Sequence, residues 1–158
     1  AQACNKGASN AKGEWILFLN PDTILEPNTL PLLIQKTNAQ PDWKLIGIKQ
    51  LDEKGKDTYP FGLFLQWWNV WPPIRSIQRL IGGKKLSKKE WSAHSVTYPD
   101  WISGSFVLMR NADFKTIGGW DPQFWMYCED QDLSKAAASS RTRGSPISCD
   151  AITGQLSF

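Results

Sequence analysis

Two short stretches hold the residue types that acid–base and cation chemistry need. The first is Asn20-Pro21-Asp22, directly after the apolar run Trp15-Ile16-Leu17-Phe18-Leu19. A carboxylate held at the end of a buried strand, next to a rigid Pro, can ligate a hard cation such as Mg²⁺ or Mn²⁺. Asn20, two residues earlier, points to the same side and offers an amide oxygen. The same tripeptide also suits a plain turn, with Asp22 or Thr23 as the cap of the next turn of chain. The second stretch is Glu129-Asp130-Gln131-Asp132. Three carboxylates in four positions repel one another, so a cation, a cationic partner or the positive end of a helix must compensate. Acids in a first helical turn are favourable in their own right. Here, however, the flank Gln123-Phe124-Trp125-Met126-Tyr127-Cys128 is almost wholly apolar, and carboxylates beside an aromatic wall are candidates for general-base work.

The elements that would position these residues are legible in outline. Ala1 to Gly13 is rich in small residues and reads as a helix and its exit. Residues 14–19 form a continuous apolar run, the pattern of a strand buried on both faces of a parallel sheet, closed by Pro21. Glu26 to Gln40 carries Leu30, Leu33 and Ile34 at helical spacing, with Pro27 near its start and Pro41 as its stop. Lys44 to Lys49 reads as a second strand and Asp52 to Gly55 as a turn. Strand, helix and strand in succession form a βαβ unit, which puts a ligand beyond the carboxyl ends of the strands, where Asn20-Pro21-Asp22 stands. Further on, Trp101 to Arg110 reads as one strand. Asn111 is placed to cap a short helix through Ile117, which Gly118-Gly119 breaks.

Composition bounds the function. The chain has 158 residues, a net charge of +3, nine Trp, seven Phe and three Tyr. That charge excess is too small to drive phosphate-backbone binding, so no nucleic-acid partner is expected. Cys4, Cys128 and Cys149 include no CxxC pair and cannot close a disulfide framework, which points to a reducing setting. The single His, His94, excludes His-rich metal sites. No apolar run reaches the roughly 18–20 residues of a spanning helix. Residues 61–89 join an aromatic block (Phe61, Phe64, Trp67, Trp68, Trp71) to a basic one (Arg75, Arg79, Lys84, Lys85, Lys88, Lys89). That block reads either as core or as a glycan-binding or membrane-surface segment without catalysis. Residues 136–158 lack Trp, Tyr and Val and read as a weakly patterned tail.

Three separate stretches together resemble the family 2 glycosyltransferases of the GT-A fold, in their rhamnosyltransferase-like branch. They are Asn5-Lys6-Gly7-Ala8 with Ala11 to Thr23, Trp101-Ile102-Ser103-Gly104-Ser105-Phe106, and Ile117-Gly118-Gly119-Trp120-Asp121 through Glu129-Asp130-Gln131-Asp132-Leu133. The resemblance covers most of residues 1–135 and implies an α/β fold, a partial GT-A (Rossmann-like) mixed sheet flanked by helices. It implies inverting, metal-dependent transfer of a sugar from a nucleotide-sugar donor to a glycan or polyprenyl-linked acceptor in cell-surface polysaccharide synthesis. Asp22, in a variant Asp-x-Asp motif whose first acid is Asn20, would hold Mg²⁺ or Mn²⁺. Asp130 would be the catalytic base, paired with Glu129. Asn5, Gly7, Asn20, Trp101, Gly104, Trp120, Asp121 and Asp132 would surround donor and acceptor. The implied location is cytoplasmic, peripheral at the inner face of the cell membrane. Compared with the family, residues 1–135 enter at the helix before the metal motif, without the nucleotide-binding strands. After Lys135 the family pattern stops. The expectation is therefore a partial catalytic domain, 1–135, followed by a tail, 136–158, inactive alone.

Overall fold

The computed structural model describes residues 1–64, 96–139 and, as backbone, 148–156. Most of the aromatic–basic block 61–89, His94 and the Cys149 side chain lie outside the described residues. The helices are α1 (Gln2–Ser9), α2 (Thr29–Asn38), α3 (Asn111–Thr116) and α4 (Glu129–Ser139). The strands are β1 (Trp15–Leu19), β2 (Thr23–Leu25), β3 (Leu45–Leu51), β4 (Asp57–Thr58), β5 (Phe61–Gly62), β6 (Trp101–Ile102), β7 (Phe106–Arg110) and β8 (Ser148–Leu156). None of the helices formed by the described residues is long and apolar enough to cross a membrane.

The main sheet runs β1-β7-β3-β8-β2, with β4 paired to the far end of β3. This order corrects the simple βαβ expectation. β1 and β3 are not neighbours in a parallel ladder. Both pair antiparallel with β7, Leu17 opposite Leu108 and Ile46 opposite Leu108. They therefore run the same way with β7 inserted between them, and the parallel neighbour of β3 is β8. A continuous apolar run specifies burial on both faces, but not which strand pairs alongside.

The two faces follow the period-2 alternation of strand side chains. Leu45, Val107 and Met109 pack with Ala8, Phe114, Trp120, Leu133 and Ala137, so α1, α3 and α4 cover one face. Ile46, Ile48, Phe106 and Leu108 pack with Leu33 of α2 and with Trp43 on the other. The sheet is thus mixed and flanked by helices, as the fold class requires.

Three other differences matter for the site. The stretch Trp101 to Arg110 is two strands, because the Ser103-Gly104-Ser105 turn interrupts it; β6 leaves to pair with β5 in a separate two-stranded sheet. Asn111 does not cap α3, whose flanking residue is the extended Arg110. Its side-chain Nδ2 instead donates to Ala11 O (3.2 Å) and Gly13 O (3.0 Å), tying α3 to the connection between α1 and β1. Finally, residues 136–139 complete α4, with Ala137 buried, and residues 148–156 form β8 between β3 and β2. A boundary after Lys135 falls inside α4.

Candidate active site

The carboxyl end of β1, the 103–105 turn, the face of α1 and the start of α4 surround one cleft of about 780 Å³. Of the residues singled out in the sequence, Gly7, Asn20, Trp101, Gly104, Trp120, Glu129 and Asp130 line it. Asn5, Asp22, Asp121 and Asp132 do not.

The acidic pair directly follows two residues with strained backbone. Tyr127 (φ 67°) and Cys128 (φ 64°) are consecutive non-glycine residues in the left-handed region, a conformation that costs of order 1 kcal/mol or more each. They turn the chain sharply into α4. Asp132 N–H then donates to Cys128 O at 3.0 Å, starting the helix. Glu129, Asp130 and Asp132 all occupy its first turn, where the positive end of the helix dipole offsets their mutual repulsion. Their place in the first helical turn does not take these acids out of reach of the cleft, which Glu129 and Asp130 line.

Asp130 is held by two backbone donors. Gly104 N–H donates to Oδ2 at 3.3 Å and Gln131 N–H to Oδ1 at 2.8 Å. A carboxylate so oriented loses little rotamer freedom when a hydroxyl approaches it. Glu129 Oε2 is buried without a hydrogen-bond partner, a costly state for a carboxylate oxygen that a ligand would relieve. On the opposite side, Asn20 N–H donates to Ser105 O at 3.0 Å. The 103–105 turn thus ties the end of β1 to the carboxylate of Asp130.

Trp101 and Trp120 form aromatic walls. Trp101 lies against Gly62, where an added Cβ would stand 2.6 Å from its ring. Trp120 is buried and meets Phe18 edge-on, with centroids 5.2 Å apart. Asn5 reaches the cleft only through this Trp. Its Nδ2 donates to Trp120 O (2.7 Å) and its Oδ1 accepts from Trp120 N–H (3.0 Å), a clamp across 115 positions. Asp121 likewise works locally, its Oδ1 accepting Gln123 N–H at 2.8 Å. Sequence reasoning missed Gln50, Ser103 and Ser105, because a polar residue within a strand or turn has no local signal of its partners.

Asp22 stands two residues beyond Asn20, in the turn closed by Thr23 N–H donating to Asn20 O at 3.1 Å. Its Oδ1 is buried and unpartnered, as is Thr23 Oγ1. Among the described residues no three His, Cys, Asp or Glu side chains gather where they could hold a metal ion by themselves. A single orphaned carboxylate fits a hard cation that takes its other ligands from diphosphate oxygens and water, the habit of Mg²⁺ and its like.

Comparison with known proteins gives the family and the fold. Residues 1–87 match the model of the glycosyl transferase family 2. Rhamnosyltransferase WbbL of Escherichia coli (strain K12) is 31% identical over 125 residues, covering 78% of this chain and 45% of its own length. The N-acetylglucosaminyl-diphospho-decaprenol L-rhamnosyltransferase of Mycobacterium tuberculosis (strain ATCC 25618 / H37Rv) is 25% identical over 135 residues, 76% of this chain and 40% of its own. The chain thus spans less than half the length of these relatives. A crystal structure of GalNAc-T7 with UDP, GalNAc and Mn²⁺ superposes with a TM-score of 0.65 at 15% identity, over 99% of this chain and 30% of that one. That likeness concerns the fold, and agrees with the partial GT-A architecture. With more than half of its residues under the family model, the chain belongs to glycosyl transferase family 2.

Proposed function

We propose that this chain supplies the catalytic base and a metal ligand to the catalytic site of an inverting, metal-dependent glycosyltransferase. The enzyme would move a sugar, rhamnosyl by analogy with its relatives, from a nucleotide-sugar donor to a glycan or polyprenyl-linked acceptor. The observation that carries the reading is the Asp130 carboxylate, fixed by Gly104 N–H and Gln131 N–H within the cleft that the end of β1 also reaches.

In the mechanism, Asp130 takes the proton of an acceptor hydroxyl as that oxygen attacks the anomeric carbon in line. The bond from this carbon to the diphosphate breaks, and the configuration inverts. Glu129 Oε2 orients the same acceptor or a neighbouring hydroxyl. Trp101 offers an apolar face to the sugar ring, and the buried Trp120 backs the cleft wall behind Gly104. A divalent cation, Mg²⁺ or Mn²⁺, would be held by Asp22 and would neutralise charge on the leaving diphosphate. The expected setting is the cytoplasm, at the inner face of the membrane. Trp125, Met126 and Tyr127, exposed to 83%, 62% and 76% beside the cleft, support contact with a lipid-linked acceptor or the membrane surface there. If so, the full-length protein should co-sediment with phospholipid vesicles, and replacing these three residues by Ser should release it; sedimentation unaffected by the change would remove that support.

The reaction itself is tested in the full-length protein with a panel of UDP-, GDP- and dTDP-linked hexoses. Asp130→Asn should lower transfer by about 10²–10⁴-fold while leaving nucleotide-sugar binding intact. Transfer at the unaltered rate would refute the assignment of the base.

A further inference from the structure

Asp130 is only as well placed as the N–H groups that hold it. Gly104 N–H reaches Asp130 Oδ2 at 3.3 Å, the long end of the hydrogen-bond range. The residues flanking Gly104 are anchored. Ser103 N–H donates to Pro60 O at 2.7 Å, and Ser105 O accepts from Asn20 N–H at 3.0 Å. Between these anchors a glycine backbone can pivot at little cost, so packing must confine it. A Cβ built on Gly104 would stand 3.8 Å from Asp130 Cβ and 3.9 Å from Trp120 Cη2. The stem of Asp130 and the tip of the indole therefore border the same space beside Gly104.

The indole is in turn held by three elements. Asn5 of α1 clamps the Trp120 backbone through both atoms of its amide, at 2.7 and 3.0 Å. Phe18 of β1 meets the ring edge-on, and Phe18 lies 5.1 Å from Phe114 of α3. Trp120 is 3% exposed, and its Nε1 is buried without a hydrogen-bond partner. An unpaired N–H costs free energy, so the indole contributes nothing here through its polar atom. What it adds over a phenyl ring is reach, which carries Cη2 to Gly104. Trp120→Phe thus removes the tip and an unsatisfied donor. It leaves the Asn5 clamp standing, because that clamp holds only backbone atoms of residue 120.

We propose that Trp120 and Asn5 are positioning residues for Asp130: the clamped indole packs behind Gly104 and keeps its N–H on the carboxylate. The proposal rests on the glycosyl-transfer reading. The test is transfer by the full-length protein from whichever UDP-, GDP- or dTDP-linked hexose the unaltered protein uses. It is run at a temperature where circular dichroism shows each variant folded. Trp120→Phe should lower kcat by about 10–100-fold, with KM for the nucleotide-sugar and its calorimetric affinity unchanged. Asn5→Ala should show the same split, and carries the test if Trp120→Phe does not fold. Leu33→Ala, on the opposite face of the sheet, should melt earlier and keep its kcat. In an Asp130→Asn background neither Trp120→Phe nor Asn5→Ala should lower kcat further, because the group they position is gone. A loss that adds to that of Asp130→Asn would overturn the proposal. So would a raised KM at unchanged kcat, which would make Trp120 a substrate contact, or an equal fall of kcat in Leu33→Ala. Full transfer by Asp130→Asn itself would instead remove the base assignment, a result distinct from any of these.

Discussion

The clamp between Asn5 and Trp120 depends on a residue that touches neither substrate nor acid. Gly119 has φ +78°, and a Cβ built there would stand 2.8 Å from Asn5 Oδ1 and 3.1 Å from Phe114 Cζ. Gly119→Ala therefore carries two penalties. The left-handed backbone costs an alanine about 1 kcal/mol or more. The displaced Asn5 amide forfeits two hydrogen bonds to the Trp120 backbone, about 1 kcal/mol each. The sum is about 3 kcal/mol, or roughly 6–12 °C in Tm for a domain of this size. Gly118 supplies the control. Its φ is +85°, but nothing lies within 4 Å of its added Cβ, so Gly118→Ala should lose only the backbone part, about 1 kcal/mol. Urea titration of both variants separates the two contributions. A double-mutant cycle sharpens the comparison: in an Asn5→Ala background the obstacle at 2.8 Å is gone, and the loss from Gly119→Ala should fall toward that of Gly118→Ala. Equal losses for the two glycine variants, or strict additivity with Asn5→Ala, would refute the clamp.

Single contacts set the other expectations. Gly62→Ala would press a methyl into the Trp101 ring and should destabilise by about 1–3 kcal/mol, with weaker nucleotide-sugar binding in titration, since the displaced ring is a wall of the cleft. Asn111→Ala removes the bridge to Ala11 O and Gly13 O and should cost about 1–3 kcal/mol in denaturant unfolding. Leu33→Ala, at a fully buried position under α2, should cost about 2–5 kcal/mol by the same measurement. Chelation should stop transfer by the full-length protein, with Mn²⁺ restoring it, and Asp22→Ala should abolish the restoration; transfer that ignores a chelator would refute the role given to Asp22.

Much of the local structure was written in local patterns. The apolar run at 15–19, the helical spacing of Leu30, Leu33 and Ile34, and the apolar residues of Lys44 to Lys49 each fell within one residue or a few of β1, α2 and β3. The helix break at Gly118-Gly119 was equally legible, because two successive left-handed residues favour glycine. The same signal failed at Tyr127 and Cys128, which adopt that backbone without being glycine. A strained turn of this kind is set by its surroundings, here the entry of α4 beside the cleft.

The sequence by itself determined the apolar runs of β1 and β3, the helical spacing of α2, the helix break at Gly118-Gly119, and that acids stand at two places along the chain, Asp22 alone and Glu129, Asp130 and Asp132 together. Those properties come from periodicity, capping and breaker residues, which act over a few positions. Tertiary structure alone decided that β7 lies between β1 and β3, that the 103–105 turn joins the end of β1 to Asp130, and that Asn5 works on Trp120 from 115 residues away. Strand burial constrains the side chains of a strand and leaves its hydrogen-bonding edges open to any partner. A polar side chain carries donors and acceptors without an address, and only the packed sheet supplies one.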